Sequence, residues 1–309
     1  MICIECTNPN IDCLYSKYES DYIKLTICPE CGKIADKYIE YDNVILFIDL
    51  LLLKTRAYRH LAYNVTEQDI LNESQDSNLS SDTNKIGPRI SLSSFVLRYK
   101  KLLRLILLIV LFEVYLKWAY EERKSIHTIG MDFILNQPVH VQYSFFITES
   151  IIEQFLLNFV ILVLFRLLLN LKELKNINIS EQLQFGYQNS VLLVTILSSS
   201  SIKLFPILML IWPYDTTSIS AAVINVIGYL YIIEGLKIIS NKSYFWIILI
   251  LAISITSQFL ISKRVLSFIV SRLSGIDLDV ILQSDYNEIY GLYNQYRLFI
   301  YDLRDNLIN

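Results

Sequence analysis

Cys3-Ile4-Glu5-Cys6 and Cys28-Pro29-Glu30-Cys31-Gly32 form two C-x-x-C knuckles separated by residues 7–27. A C-x-x-C turn sets two thiolates on one side of a tight loop. Two such turns complete a tetrahedral S4 site for Zn2+. With Cys3, Cys6, Cys28 and Cys31 as ligands no coordination position stays open, so the expected zinc is structural rather than catalytic. Pro29 stiffens the second knuckle, and Gly32 lets the backbone turn beneath the ion. The separation is one residue beyond the usual range for paired knuckles. The competing use of C-x-x-C is a redox dithiol, which needs a thioredoxin-like βαβ context that is absent here. Cys13, the fifth cysteine, reads as a free buried thiol on a strand, with a ligand exchange as the alternative.

The elements that must hold these thiols are short. Residues 12–18 and 21–27 read as strands with Glu19-Ser20 at the turn, and residues 33–41 as a candidate third strand. That is the pattern of a zinc ribbon. An apolar run follows at 44–53, with Glu40 and Asp42 before it and Lys54, Arg56, Arg59 and His60 after it. Acid at the start and base at the end suit a helix dipole. Ten residues make only about 15 Å of helix, too short to span a bilayer. Two readings stay open: a helix packed on the zinc module, or an amphipathic helix lying in the membrane interface. A module of forty residues has little surface to cover so many aliphatics, which favours the interface.

These residues have a familiar order. Cys3-x-x-Cys6 is followed by Leu25-Thr26-x-Cys28-x-x-Cys31, then by Ala35-Asp36-Lys37-Tyr38-Ile39-Glu40-Tyr41-Asp42. Ile48-Asp49-Leu50-Leu51-Leu52-Leu53-Lys54 and Ala57-Tyr58-Arg59-His60-Leu61, with Asn64, complete the set. The first 64 residues resemble the homology domain of the Arv family, endoplasmic-reticulum membrane proteins of sterol, sphingolipid and GPI-anchor homeostasis. The resemblance implies that the four cysteines carry zinc. It also implies a functional core holding Asp36, Tyr38, Glu40, Asp42, Asp49, Lys54, Tyr58, Arg59 and His60. The implied role is non-enzymatic, in intracellular sterol transport and distribution with effects on sphingolipid metabolism. The implied partners are membrane lipids, sterols foremost. The alternative is an accessory subunit of endoplasmic-reticulum lipid-modifying enzymes, notably in GPI-anchor assembly or GPI-intermediate translocation.

The rest of the chain sets the context. Of 309 residues, 53% are hydrophobic and only 18% charged, with a mean hydropathy of +0.41. Soluble domains carry about a quarter charged residues, so the balance points to a membrane protein. A net charge of −3 argues against a nucleic-acid partner. No signal peptide, lipidation or retention motif is read at the termini. The polar stretch from 65 to 98 reads as a flexible linker, with too little apolar surface to offset ordering. Apolar segments near 102–119, 151–170, 191–212, 219–239 and 244–261 each approach the 20 helical residues that a 30 Å bilayer core needs. Residues 265–282 read as interfacial. The fold class is thus an α-helical multi-pass membrane protein of about five spans, with four to six compatible, carrying a small N-terminal zinc ribbon and an interfacial helix. Ile289, Tyr293, Tyr296, Ile300, Leu303 and Leu307 mark an amphipathic tail over 263–309.

Arg89, Arg98, Lys100 and Lys101 before the first span place the N-terminus in the cytosol. Lys263 and Arg264 then fall on the lumenal side, against the same rule. The sequons at Asn178 and Asn241 would both stay unglycosylated. Glu113, Lys203 and Glu234 are the charges inside or near spans, and such charges need a partner or a polar cavity. Glu113 with Lys203 is the expected pair; Lys snorkelling from the interface is the alternative. His127 and His140 fall in a predicted loop at 120–150. No catalytic motif accompanies them, so no enzyme is expected.

Overall fold

The computed structural model describes residues 1–18, 22–71, 100–124, 127–169, 181–204, 217–288, 290, 291, 294 and 297. The predicted linker beyond Leu71, the sequon at Asn178 and the tail positions Ile289, Tyr293, Tyr296, Ile300, Leu303 and Leu307 lie outside the described residues. The chain is mostly helical and divides into two compact units. One comprises Met1–Phe112 and Asn158–Ser254, the other Glu113–Leu157 and Ile255–Asn309.

In the first unit, β1 (Tyr15–Lys17) pairs antiparallel with β2 (Ile23–Leu25), Tyr15 opposite Leu25 and Lys17 opposite Ile23. These strands fall inside the predicted 12–18 and 21–27. The predicted third strand at 33–41 reduces to one bridge, Ile27 to Ile34. Its continuation is lost to local bonds: Asp36 Oδ1 accepts the Tyr38 N–H, and the Glu40 N–H donates to the Lys37 carbonyl. Such side-chain capture offers the backbone a turn in place of a ladder.

The run at 44–53 forms α1 (Asn43–Leu51), which leads into α2 (Thr55–Arg59) and a π-helical turn, His60–Val65. Helical residues continue to Leu71, seven residues into the predicted linker. They do so because Thr66, Glu67 and Ile70 are buried rather than solvated.

All five predicted spans begin on long helices. They are α3 (Lys100–Arg123), α5 (Val139–Leu168), α6 (Glu181–Ser200), α7 (Thr217–Ser240) and α8 (Tyr244–Ser274). A short helix α4 (Ile129–Leu135) precedes α5. Two of these, α5 and α8, are long and apolar enough to cross a membrane by length and composition. α5 starts twelve residues before the predicted 151, which puts His140 on a helix instead of in a loop. α8 runs through Lys263-Arg264 to Ser274, so residues 265–274 extend it rather than start a separate interfacial helix. The break comes at Gly275, whose φ of 72° supplies the left-handed stop that favours glycine. Helical residues resume at 278–288. α6 tightens into a 3-10 turn, Ser201–Leu204, at the end of its serine-rich stretch.

Candidate functional site

The four thiols converge. The Sγ atoms of Cys3, Cys6, Cys28 and Cys31 all lie within 4.8 Å of one another. Cys3 and Cys31 sulfurs are 3.8 Å apart, and those of Cys6 and Cys28 are 3.6 Å apart. A tetrahedron of Zn–S bonds of about 2.3 Å has edges of about 3.8 Å, so the spacing fits a bound zinc ion. The two knuckles are built alike. The Thr7 N–H donates to the Cys3 carbonyl, and the Gly32 N–H to the Cys28 carbonyl. Each turn closes on a left-handed residue, Thr7 at φ 66° and Gly32 at φ 67°. Burial pushes the Cys3 thiol up to about 12, whereas the N–H groups of Cys31 and Glu30 hold Cys28 near 7. Cys13 departs from expectation. It is a free but exposed thiol before β1, because Leu14 takes the inward position at 1% exposure.

Most of the predicted functional-core residues clamp this module to α1, α2 and the π turn. Asp36 is fully buried and is the hub. Besides the Tyr38 N–H, it accepts from Asn64 Nδ2 at 2.7 Å and lies 2.6 Å from His60 Nδ1. Asn64 also bonds both the N–H and the carbonyl of Ile2. The π turn places His60 and Asn64 together over Asp36; such wide turns recur at functional positions. A second bridge runs from Tyr38 to α1. The Tyr38 hydroxyl donates to Asp49 Oδ2 at 2.8 Å, and Lys54 Nζ lies 2.6 Å from Asp49 Oδ1. The Lys54 hydrogen bond holds the Asp49 carboxyl below its ordinary range, and burial beside Asp49 raises the Tyr38 phenol. Arg59 donates to the Ile4 and Glu5 carbonyls, and Arg56 pairs with Glu5 at 2.9 Å.

Glu40 and Asp42 do not join this network. Both are exposed, and Asp42 stands at the N-cap of α1 without a side-chain capping bond. Tyr58 faces the other way. It is buried, and its hydroxyl lies 3.4 Å from Ser199 Oγ on α6. Gly235 on α7 opens the space for it: a Cβ there would stand 2.3 Å from Ser199 Oγ and 3.1 Å from Tyr58 Cε1. Tyr63 donates to the Ile239 carbonyl, and Tyr231 of α7 donates to the Leu51 carbonyl. The module therefore docks on α6 and α7 of its own unit. Asn64, Ser199, Gly235, Tyr63 and Tyr231 were missed as site residues. Asn64 alone had a sequence signal, its place in the family motif.

α1 buries Asp49 and Leu50 but turns Val44, Ile45, Phe47 and Ile48 outward, with Leu52 just beyond it. One stripe of the run packs on the module, as the first reading expects, and the wider face is open.

Of the spanning charges, Glu234 accepts from the Tyr244 hydroxyl at 3.3 Å. The methylenes of Lys203 lie over Gly228 of α7, and Glu113 stands one helical turn before Lys117 on α3. The second unit holds charges that reading the spans overlooked. Lys117 lies 2.7 Å from Glu153 and 3.7 Å from Glu149. The i,i+4 spacing of two acids at the head of an apolar run was the available signal. His127 sits 3.7 Å from Glu121, and His140 is exposed on α5.

A cysteine cluster clamped on a mostly helical chain sets the class: a helical protein with two apolar helices of membrane-crossing length and a candidate metal-binding N-terminal module. Residues 2–236 match the Arv1-like family, and the chain belongs to it. It is 47% identical over 304 residues to "Protein ARV1" of Candida albicans, covering 97% of this chain and 99% of the relative. The Saccharomyces cerevisiae "Protein ARV1" is 36% identical over 312 residues, 87% of this chain and 91% of the relative. The human "Protein ARV1" is 50% identical over 62 residues, 20% of this chain and 22% of the relative. No solved structure matches. The relatives' names describe no enzyme, and the family agrees with a part in sterol and lipid homeostasis.

Proposed function

We propose that this protein is a multi-pass membrane protein of the endoplasmic reticulum that distributes sterols between membranes and thereby influences sphingolipid metabolism. Membership of the Arv1-like family supports the lipid role. The observation that supports the mechanism is the open apolar face of α1 on a rigidly clamped module. Val44, Ile45, Phe47, Ile48 and Leu52 are each more than a third exposed. A helix of this kind lies in the headgroup region with its apolar face down. Cys3, Cys6, Cys28 and Cys31 hold a structural zinc ion that fixes the two knuckles. Asp36 and Asp49 carry that order into α1 and the π turn. Tyr58 then fixes the module against α6 and α7, so lipid contact at α1 reaches helices of the membrane part. Five spans, an N-terminus in the cytosol and the lone exposed Glu40 and Asp42 beside the interface complete the reading.

The test uses the full chain in detergent. Lipids that co-purify are identified by mass spectrometry, and transfer of a fluorescent sterol between liposomes is timed. Stoichiometric sterol and transfer that falls at least fivefold in V44D/F47D support the proposal. Stable co-purification of a glycosyltransferase complex without bound lipid overturns it in favour of the accessory role in GPI-anchor assembly.

A further inference from the structure

The second unit contains a half-open cleft lined by Phe145, Glu149, Lys263, Ser267, Ile281 and Asp285 among its residues. Its lining mixes apolar side chains with charges of both signs. Lys117 is engaged by Glu153 and Glu149, whereas Lys263 has no ion pair of its own among the described residues. Asp285 receives one hydrogen bond, from Ser267 Oγ at 3.2 Å. The cleft thus offers one ammonium that acts on Glu149 only through space, with no direct ion pair among the described residues, and two carboxylates with spare acceptor capacity. A carboxylate can accept about four hydrogen bonds, and a Lys ammonium donates three.

The depth of the cleft is set by the helices. From Tyr244 to Ser262, α8 runs nineteen residues without a charge, and Lys263 is the first. Nineteen residues at 1.5 Å rise make about 28 Å, the thickness of a bilayer core. Tyr244, Phe245 and Trp246 mark the far interface, as aromatic belts do. Lys263 consequently lies at headgroup depth. On α5, Glu149 stands nineteen residues before the helix end at Leu168, with Glu153 one turn after it and Arg166 near the far end. The two charged groups meet at one level of the membrane from two separate helices.

We propose that this cleft binds the headgroup of an ethanolamine phospholipid, its phosphate on Lys263 and its ammonium between Glu149 and Asp285. The choice among headgroups follows from the lining. A choline ammonium has no N–H and is held by aromatic cages, but among the described residues Phe145 is the one aromatic side chain lining the cleft. A serine headgroup adds a carboxylate that Glu149 and Asp285 repel. A glycerol headgroup lacks the cation. A primary ammonium satisfies both carboxylates with hydrogen bonds to charged groups, the stronger kind. The inference rests on the reading that α5 and α8 span a bilayer.

The experiment measures binding of tail-fluorescent phosphatidylethanolamine, phosphatidylglycerol and diacylglycerol to the detergent-solubilised full chain. The expected order is phosphatidylethanolamine, then phosphatidylglycerol, then diacylglycerol. K263Q should weaken the phospholipids at least tenfold and leave diacylglycerol unchanged. E149Q with D285N should remove the preference for ethanolamine over glycerol. Equal binding of diacylglycerol, or unchanged affinity in K263Q, overturns the proposal. Soluble phosphoethanolamine binding as tightly as the lipid overturns the lipid source. Should a variant fail to fold, acylation of Lys263 in the unsubstituted chain serves instead: phosphatidylethanolamine should slow it at least fivefold, and no protection refutes the site. Alkaline carbonate extraction separates the two levels of the argument. Protein kept in the membrane pellet but blind to headgroups defeats this inference alone, whereas protein released to the supernatant defeats the spanning reading.

Discussion

Asp36→Ala and Asp42→Ala remove the same group from the same sequence motif, yet the structure assigns them very different costs. Asp36 is fully buried, accepts from the Tyr38 N–H and Asn64 Nδ2, and contacts His60 Nδ1 at 2.6 Å. Hydrogen bonds to a charged group contribute about 1.5–3 kcal/mol each, and donors stranded in a buried site add a desolvation cost. Three such bonds, discounted for coupling within one network, put D36A at about 4 kcal/mol. That is a large share of the 5–15 kcal/mol that holds a typical domain. Asp42 is exposed and caps nothing with its side chain, so D42A should cost under about 0.5 kcal/mol, as surface changes do. The assay is a thermal unfolding profile of the full chain in detergent, paired with zinc content by elemental analysis. D36A should lose the early transition of the N-terminal module and retain less than half of its zinc. D42A should match the parent. If D36A unfolds and holds metal as the parent does, the hub assignment is wrong.

Gly235→Ala should loosen the docking of the module by about 1–3 kcal/mol, since its Cβ falls 2.3 Å from Ser199 Oγ; protease cutting near Tyr58 should quicken, and G235A/S199A should regain part of the loss. Asp49 is held ionised in the folded chain by Lys54, so its contribution is present above the unfolded value of about 3.9 and fades as pH falls below it; D49N should flatten the acid limb of a stability-against-pH curve, and an unchanged limb would count against the bridge. Thr7 sits at φ 66°, where a side chain costs about 1 kcal/mol or more; T7G should raise the melting temperature of the module, whereas T7V should lower it.

Much of the N-terminal module could be read from local pattern. The knuckles, both strands and α1 follow from spacing and periodicity over fewer than ten residues each. The hub was not legible in this way, because Asp36 meets His60 and Asn64 across 24 and 28 residues. The motif named Asp36, Tyr38 and His60 without saying that they bond to one another or past one another. Tyr58 is a sharper case. Its partner Ser199 lies 141 residues away, and nothing local marks Gly235 as the opening that admits the ring. Helix ends failed for a different reason. Hydropathy sees the segment that lipid would cover, whereas α5 and α8 persist beyond it through polar residues that hydrogen-bond in the helix just as well. The third strand failed because Asp36 captured the backbone that a ladder would have used.

Lys263 brings the sequence and the structure into contact on topology. Five spans from a cytosolic N-terminus leave Lys263 and Arg264 on the lumenal side, against the positive-inside rule. That rule counts basic residues that are free to be held back by the potential and by anionic lipid. Lys263 is not such a residue. It lies in a cleft with Glu149 and Asp285, and Lys117 is already divided between Glu149 and Glu153. A lysine enclosed by acids presents little net charge to the membrane surface. Arg264 is exposed on the adjacent face of α8, and with Arg123 and Arg272 on the same side it still weighs on orientation against Arg89, Arg98, Lys100 and Lys101 around the start of α3. The conflict with the rule is therefore eased at Lys263, provided that the cleft keeps its acids. E149Q/D285N would free the Lys263 charge, and a tag at the C-terminus should then lose its uniform protection in sealed microsomes. Unchanged protection would mean that burial of Lys263 is not what tolerates it there.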